Sequence, residues 1–191
     1  MVAEAKALEI RDLTPSEREL AIPVIIDSFT GIYRWHAKRT LHSISRVRGA
    51  WFGEEIAGVS MLEFLEPPVG YLYYIAVRVA HRRRGVARRL LDDALDLFGQ
   101  NGARVVFAAA EEDNTASLRL FSSRGFRLTE PKERGWREGG LGAWGLRSRM
   151  MVVSGEVLMG VRLRPEPILD AGPTVGARRT DPVSPPPTKG L

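Results

Sequence analysis

The segment from Ile75 to Arg89 has the strongest chemical pattern in the chain: an apolar strand, a short loop and a helix that opens at Gly85. At a helix start the unpaired backbone N–H groups and the positive dipole end together favour phosphate. Gly85 and Ala87 lack bulk, so a pyrophosphate could approach the backbone closely. Six arginines and no acid lie between Arg78 and Arg89. The pattern predicts either an anion-binding cradle or a solvated basic loop before an amphipathic helix.

Two other groups of side chains could take part in chemistry near this segment. Acidic residues end the strand that follows the helix, at Glu111, Glu112 and Asp113. They could attract a cationic amine, but we favour a solvated strand end facing the basic loop. Aromatic residues cluster in two places, at Phe29, Tyr33 and Trp35 and at Trp136 and Trp144. Either cluster could line a binding site, and the first could equally be core.

Composition excludes several classes of chemistry. The chain has 191 residues, of which 44% are hydrophobic and 27% charged, as expected of one globular domain. The absence of cysteine excludes disulfides, cysteine–zinc sites and a thiol nucleophile. His36, His42 and His81 lack metal-ligand spacing, so we predict no metal site. The first residues lack a signal-peptide pattern and no apolar run could span a bilayer. We therefore expect a cytoplasmic protein without membrane contact.

The basic excess is an arginine excess. Lys+Arg 28 against Asp+Glu 23 gives a net charge of +5, and only four of the basic residues are lysine. Arginine suits bidentate recognition of phosphate. Seven of the twelve prolines fall in residues 164–191, including Pro185, Pro186 and Pro187. We predict a folded domain over residues 1–163 and a proline-rich disordered tail over 164–191.

Hydrophobic periodicity and turn residues predict a mixed α/β fold with a single, partly antiparallel sheet flanked by helices. A strand–helix–strand unit at this spacing implies one parallel pair with a crossover connection. The predicted strands cover 8–13, 50–52, 56–65, 71–77, 105–110, 126–130 and 157–163. The predicted helices cover 14–28, with a possible bend at Pro23, and 34–44, 84–98 and 114–123.

Two motifs in residues 71–126 resemble the GNAT superfamily of N-acetyltransferases. The first is the acetyl-CoA motif Arg/Gln-x-x-Gly-x-Gly/Ala, which stands here at residues 82–87 as RRRGVA. The second is Asn-x-x-Ala-x-x-Leu-Tyr-x-x-x-Gly-Phe, matched loosely at residues 114–126 as NTASLRLFSSRGF, with its alanine one place early. The resemblance implies a GNAT-like fold and acetyl-CoA as co-substrate.

The resemblance also implies which residues hold that co-substrate. In the family the strand before the loop splays open and pairs with the pantetheine of the cofactor. The resemblance places that part of the strand at Ile75–Val77, where a backbone N–H can polarise the thioester carbonyl. The implied cofactor-binding residues are Ile75, Ala76, Val77, Arg82, Arg83, Arg84, Gly85, Val86, Ala87, Arg88, Asn114 and Phe121. Asn114 could instead be a plain helix N-cap.

The sequence departs from the branch it resembles most, the ribosomal-protein alanine acetyltransferases. The tyrosine acid of that branch corresponds to Phe121, which has no proton to give, and its glutamate base corresponds to Ala109. The family often has glycine where this chain has Arg83. In other branches the base or its relay lies on the central strand, at the position of Tyr71. Tyr71 could act through an ordered water or could simply pack in the sheet.

Three functional hypotheses follow from these residues. The first is an enzyme that transfers acetyl from acetyl-CoA to a primary amine by direct attack, the acceptor being a protein N-terminus, a lysine or a small amine. The second is a non-catalytic acyl-CoA-binding regulatory module, suggested by Phe121 and Ala109. The third is nucleic-acid binding through Arg82–Arg89, which we do not favour because no aromatic residues interleave with the arginines. The chain is expected to be a monomer or a homodimer.

Overall fold

The computed structural model describes residues 7–65, 69–129, 150 and 152–163. Within these residues the chain forms seven strands, four α-helices and two short 3-10 helices, Pro15–Ala21 and Val79–His81. The strands are β1 (Leu8–Asp12), β2 (Arg46–Phe52), β3 (Glu55–Phe64), β4 (Val69–Val77), β5 (Val105–Glu111), β6 (Arg127–Leu128) and β7 (Glu156–Arg162). The helices are α1 (Ile22–Ser28), α2 (Gly31–Ser43), α3 (Val86–Gln100) and α4 (Thr115–Ser122).

The strands form one mixed sheet in the order β1-β2-β3-β4-β5-β7-β6. Neighbouring strands are antiparallel except β4 and β5, which run parallel and are joined through α3. The expected fold class and the expected parallel crossover pair are therefore confirmed. No helix among the described residues is both long enough and apolar enough to cross a membrane.

The parallel pair of strands separates part of the way along its length. β4 pairs with β5 only from Val69 opposite Val105 to Leu72 opposite Ala108, although β4 continues to Val77. At the same point the register between β3 and β4 shifts by one residue, which makes Tyr73 the extra residue of a β-bulge. A bulge bends its strand and increases the local twist. β4 therefore turns away from β5 and leaves a gap between them.

The bulge also changes which side chains share a face of the sheet. Alternation along a strand would place Tyr73 and Tyr74 on opposite faces. In the structure both pack against the core that α1 and α2 cover, whereas Leu72 packs beneath α3 and α4. Tyr71 belongs to an adjoining buried cluster that also contacts Tyr73. The bulge thus brings three tyrosines of β4 to one side of the sheet.

An ion pair fixes α3 on the sheet. The Arg48 guanidinium of β2 donates to both carboxylate oxygens of Asp93 on α3, over 2.8 and 2.6 Å. Both side chains are largely buried, at 15% and 20% exposed. A bidentate geometry of this kind holds the orientation of both elements. It holds the middle of α3 against β2.

Several predicted elements differ from those observed. The single helix expected over 14–28 is a 3-10 helix followed by α1, with Pro23 in the first turn of α1. The strand expected over 50–52 is longer and begins at Arg46, and the helix expected from residue 84 begins at Val86. Trp136, Trp144 and the predicted tail over 164–191 lie outside the described residues.

Candidate active site

The loop before α3 has an unusual backbone conformation. Gly85, the N-cap of α3, has φ of +80° and ψ of +1°, and Arg83 has φ of +59°. Left-handed conformations cost little at glycine but about 1–2 kcal/mol at other residues. The Gly85 carbonyl accepts the hydrogen bond of the Arg89 amide at 3.0 Å, which begins the helix. The chain is therefore held in a tight turn whose first helical N–H groups face outward.

The arginines of this loop divide into two sets. Arg82 folds back, with its Nε donating to the Val77 carbonyl at 3.3 Å and its Nη2 to the Asp27 carbonyl at 3.0 Å. Arg84 stacks on the Phe52 ring at 4.5 Å. These two arginines stabilise the loop against the ends of β4, α1 and β2. Both are predicted cofactor-binding residues, but the contacts seen for them are with other parts of the protein.

Arg83, Arg88 and Arg89 form the second set, which we call the exposed arginines. All three are exposed, as are Arg82 and Arg84, but within the part of the chain that the structure describes the side chains of this second set make no hydrogen bond, ion pair or ring contact. They stand around the N-terminus of a helix of 15 residues. Their charge adds to the positive end of the helix dipole, and the local field favours an anion.

The predicted strand residues Ile75, Ala76 and Val77 lie at the end of β4, and their contact with a cofactor stays a prediction. Ile75, Ala76 and Val77 belong to the part of β4 that has no β5 partner. Ala76 and Val77 are buried and Ile75 is half-buried against the α3 side. The Val77 carbonyl accepts from Ser28 Oγ at 3.2 Å as well as from Arg82, which holds the far end of β4 in place.

Asn114 and Phe121 have structural roles in α4. Asn114 Oδ1 accepts the Ser117 amide at 3.1 Å, so Asn114 caps the helix. Phe121 is buried, with its ring centroid 5.3 Å from that of Phe126, in the cluster beneath α3 and α4. A contact between either residue and a cofactor stays a prediction.

A hydrogen-bonded pair of side chains lies on the other face of the sheet, at the bulge. Tyr74 Oη is 2.9 Å from Nδ1 of His36 on α2, and Thr40 Oγ1 is 3.3 Å from the same nitrogen. The Phe29 ring packs edge-on against Tyr74 with centroids 5.1 Å apart. Burial, followed by the negative charge of Glu156, raises the pKa of Tyr74. The tyrosine hydroxyl is therefore held in its neutral form beside the histidine.

A second polar pair adjoins the first. The Tyr33 side chain of α2 lies close enough to the Glu156 carboxylate at the start of β7 for that charge to act on its pKa, and the same carboxylate accepts the Val153 amide at 3.0 Å. Burial, followed by the charges of Glu156 and Glu111, raises the pKa of Tyr33 to about 12. Glu111 is the register partner of Glu156 and is exposed, as are Glu112 and Asp113. The acidic strand end is thus exposed to solvent and lies close to Tyr33.

Tyr71 is the sequence-predicted catalytic residue, and it lies inside the core. It is 3% exposed and packs edge-on against Tyr73 with ring centroids 4.6 Å apart. Burial raises its pKa well above 10, which makes loss of its proton harder. The packing interpretation accounts for these contacts, and a catalytic role for Tyr71 stays a prediction.

Sequence reasoning missed Tyr74, His36 and Glu156 as candidate site residues. Strand alternation predicts that Tyr74 lies on the face of the sheet that α3 and α4 cover. The bulge places it on the opposite face, and no residue type in the sequence marks that bulge. Residue spacing tests His36 only as a metal ligand and gives no sign of its hydrogen bond with Tyr74. Glu156 follows Gly155, which has φ of +87°, and only tertiary structure brings it to Tyr33.

The chain is similar to known acetyltransferases in both sequence and fold. The pattern of the Acetyltransferase (GNAT) family matches residues 8–126. N-alpha-acetyltransferase RimI of Mycobacterium tuberculosis is 28% identical over 155 residues, which cover 77% of this chain and 96% of that protein. The ribosomal-protein-S18-alanine N-acetyltransferase of Escherichia coli has a similar fold, with a TM-score of 0.61 and 15% identity, covering 82% of this chain and 94% of that one.

A Bacillus subtilis acetyltransferase solved in complex with CoA is also similar in fold. Its TM-score is 0.60 at 19% identity, and the match covers 83% of this chain and all of that one. At such identities the solved structures establish the fold, whereas the sequence pattern covers more than half of this chain and establishes the family. On that match, this chain belongs to the acetyltransferase (GNAT) family.

Proposed function

We propose that this protein transfers the acetyl group of acetyl-CoA to a primary amine by direct attack within a ternary complex. The observation that carries the proposal is the gap between β4 and β5 beside the N-terminus of α3. Family membership supports the acetyl transfer, and the acceptor and the mechanism are our inference. The complex of CoA with the Bacillus subtilis acetyltransferase supports acetyl-CoA as the donor.

The residues present fit such a donor. Backbone groups of β4 beyond Leu72 have no β5 partner, so an extended amide-containing chain could hydrogen-bond along that edge. The left-handed turn at Gly85 and the exposed arginines would bind the pyrophosphate at the start of α3. Arg82 and Arg84 would act indirectly, by holding the loop.

The reaction needs an amine in its neutral form close to the thioester. A backbone N–H of β4 beyond the bulge would stabilise the oxyanion that forms when the amine attacks. Positioning the two reactants supplies much of the rate enhancement. No cysteine is available to form an acyl-enzyme through sulfur, so direct transfer is the simpler route.

The acceptor that we test first is the α-amine of a peptide. The name of the Mycobacterium tuberculosis relative, N-alpha-acetyltransferase, supports this choice. Glu111, Asp113 and Glu156 place negative charge on the same side as Tyr33, and that charge would attract an ammonium group. Lysine side chains and small amines are the other members of the test panel.

The experiment measures thiol release from acetyl-CoA and the mass gain of the acceptor. The panel is a peptide with a free N-terminal alanine, the same peptide already N-acetylated, a lysine peptide with a blocked N-terminus and a small aliphatic diamine. We expect turnover with the first peptide and none with its acetylated counterpart. Absence of acetyl-CoA binding by calorimetry would refute the proposal, and binding without turnover on any amine would favour the regulatory-module alternative.

The cradle has a matched charge control. Arg88→Glu should raise KM for acetyl-CoA about tenfold at low salt and less at high salt, because the lost attraction is electrostatic and screened. Arg127→Glu makes the same charge change on β6, an exposed strand at the edge of the sheet. An equal effect from both variants would show that net charge, rather than the N-terminus of α3, binds the donor.

A further inference from the structure

The polar side chains at the β4 bulge offer a path for the proton that the reaction must remove. A primary amine at neutral pH is mostly an ammonium, which cannot attack a thioester until it loses a proton. The glutamate that supplies the base in the branch this chain resembles is replaced by Ala109. The described residues nevertheless contain an imidazole beside a half-buried tyrosine hydroxyl at the point where β4 and β5 separate.

We infer that Tyr74 and His36 form the proton-accepting pair of this enzyme, with Tyr74 as the group that meets the acceptor amine and His36 as the positioning base behind it. This inference rests on the proposed acetyl transfer. The carrying observations are the 2.9 Å separation of Tyr74 Oη from His36 Nδ1 and the location of Tyr74 next to the bulge.

The hydrogen-bond geometry favours one tautomer of the histidine. Two hydroxyls, from Tyr74 and Thr40, lie within 3.3 Å of His36 Nδ1. A hydroxyl can donate, and an unprotonated ring nitrogen can accept. We therefore assign the proton of the neutral ring to Nε2 and leave Nδ1 as the acceptor. In that state the Tyr74 hydroxyl points its hydrogen at His36 and turns a lone pair outward.

The proton transfers balance over one turnover. The acceptor ammonium gives a proton to Tyr74 Oη while the Tyr74 proton moves to His36 Nδ1, so no tyrosinate forms. The amine lone pair then bonds to the thioester carbon, and the C–S bond breaks with its electron pair on sulfur. The nitrogen loses a second proton as the amide forms. One of the two protons neutralises the CoA thiolate and the other reaches solvent, giving an acetamide, free CoA and H⁺.

The surroundings of the pair suit this role. Burial raises the pKa of Tyr74, so the hydroxyl relays a proton and does not store negative charge. The ionisable groups that face the pair are Tyr33 on α2, Tyr73 on β4 and Glu156 on β7. The α-amine of a peptide ordinarily loses its proton at about pH 8, so the substrate amine itself should shape the pH profile in that range.

The decisive variant is His36→Asn. Its amide oxygen stands where Nδ1 stood and can accept the Tyr74 hydroxyl, but it cannot take up a proton. We expect turnover of the N-terminal alanine peptide to fall about tenfold at pH 7, because about a tenth of an α-amine is already neutral at that pH and needs no base. Acetyl-CoA affinity by calorimetry should stay within about twofold, because His36 lies on α2, whereas the residues proposed to hold the donor lie on β4 and at the start of α3.

The pH dependence separates a proton-transfer role from a structural one. The deficit of His36→Asn should shrink above about pH 8, where the α-amine of the peptide has already lost its proton. A structural role would lower the rate by the same factor at every pH. Tyr74→Phe should show the same pH-dependent deficit, and the double variant should be no slower than either single variant.

The control is His42→Asn on the same helix. His42 is half-exposed and lies 3.4 Å from Glu19, on a different side of α2 from the pair. We expect its rate and pH profile to match those of the wild type. If the wild type turns over but His36→Asn and Tyr74→Phe are unaffected, or are slowed by the same factor at every pH, the proton-accepting pair is refuted. The proposed acetyl transfer would still stand. No wild-type turnover with any amine would overturn the proposed function and the pair with it.

Discussion

Replacing Gly85 by alanine tests whether the start of α3 is shaped for a bound anion. Gly85 holds φ of +80°, and no described atom lies within 4 Å of the Cβ that alanine would add. The substitution therefore introduces two separate effects. The backbone conformation becomes strained, and a methyl group enters the open space that we assign to the pyrophosphate.

The two effects have different magnitudes and different readouts. A left-handed conformation at a non-glycine residue costs about 1–2 kcal/mol, which should appear as a lower free energy of unfolding. The methyl group adds no clash in the free protein, so stability should fall by no more than that amount. In the complex it displaces the anion from the first N–H groups of α3. A loss of about 1.4 kcal/mol there corresponds to a tenfold weaker affinity for CoA.

Gly102→Ala is the matched control. Gly102 has φ of +82° and equally open surroundings, but it follows the C-terminal end of α3. Urea unfolding of both variants should show similar losses of stability, whereas calorimetry with CoA should show weaker binding only for Gly85→Ala. Unchanged CoA affinity in Gly85→Ala with the expected loss of stability would refute the proposal that the anion approaches the backbone there.

Two further predictions concern ion pairs. Asp93→Asn removes the bidentate partner of Arg48 and should lower the free energy of unfolding by about 2–3 kcal/mol. This is somewhat below the range for a fully buried pair, because both side chains are partly exposed. The control, Asp96→Asn on the exposed side of α3, should leave urea unfolding unchanged. Arg11 holds the pKa of Glu17 down to about 2, so the stability that Glu17 contributes is present above about pH 4.5 and is lost as the pH falls toward 2. Thermal unfolding of Glu17→Gln should therefore vary less with pH over that interval.

Residue patterns were sufficient for the elements that depend on regular periodicity. Val86, Leu90, Ala94 and Phe98 share one face of α3 in the sequence, and all four are buried in the structure. The parallel pairing of β4 and β5 followed from the length of the connection between them. In such segments one hydrophobic face decides both the type of element and its orientation.

The candidate site was harder to predict because it depends on breaks in periodicity. The bulge at Tyr73 inserts one residue into β4, and nothing in the run of tyrosines and aliphatic residues marks it. Its position decides that Tyr74 faces α2. The meeting of Tyr74 with His36 joins residues 38 positions apart, so only the packed structure could show it.

The bulge also explains how this chain could act without the two residues of the branch it resembles. Ala108 and Ala110 pack beneath α3 and α4, so alternation along β5 turns Ala109 toward the face that carries Tyr74. A glutamate at position 109 would approach the reacting amine from β5, and the alanine leaves that side without a base. His36 supplies one from α2 across the same face, through a hydroxyl that the bulge has already turned in that direction. The alanine on β5 and the pair on α2 and β4 are thus two parts of one arrangement, in which the proton-accepting base that we propose lies on a helix and not on β5.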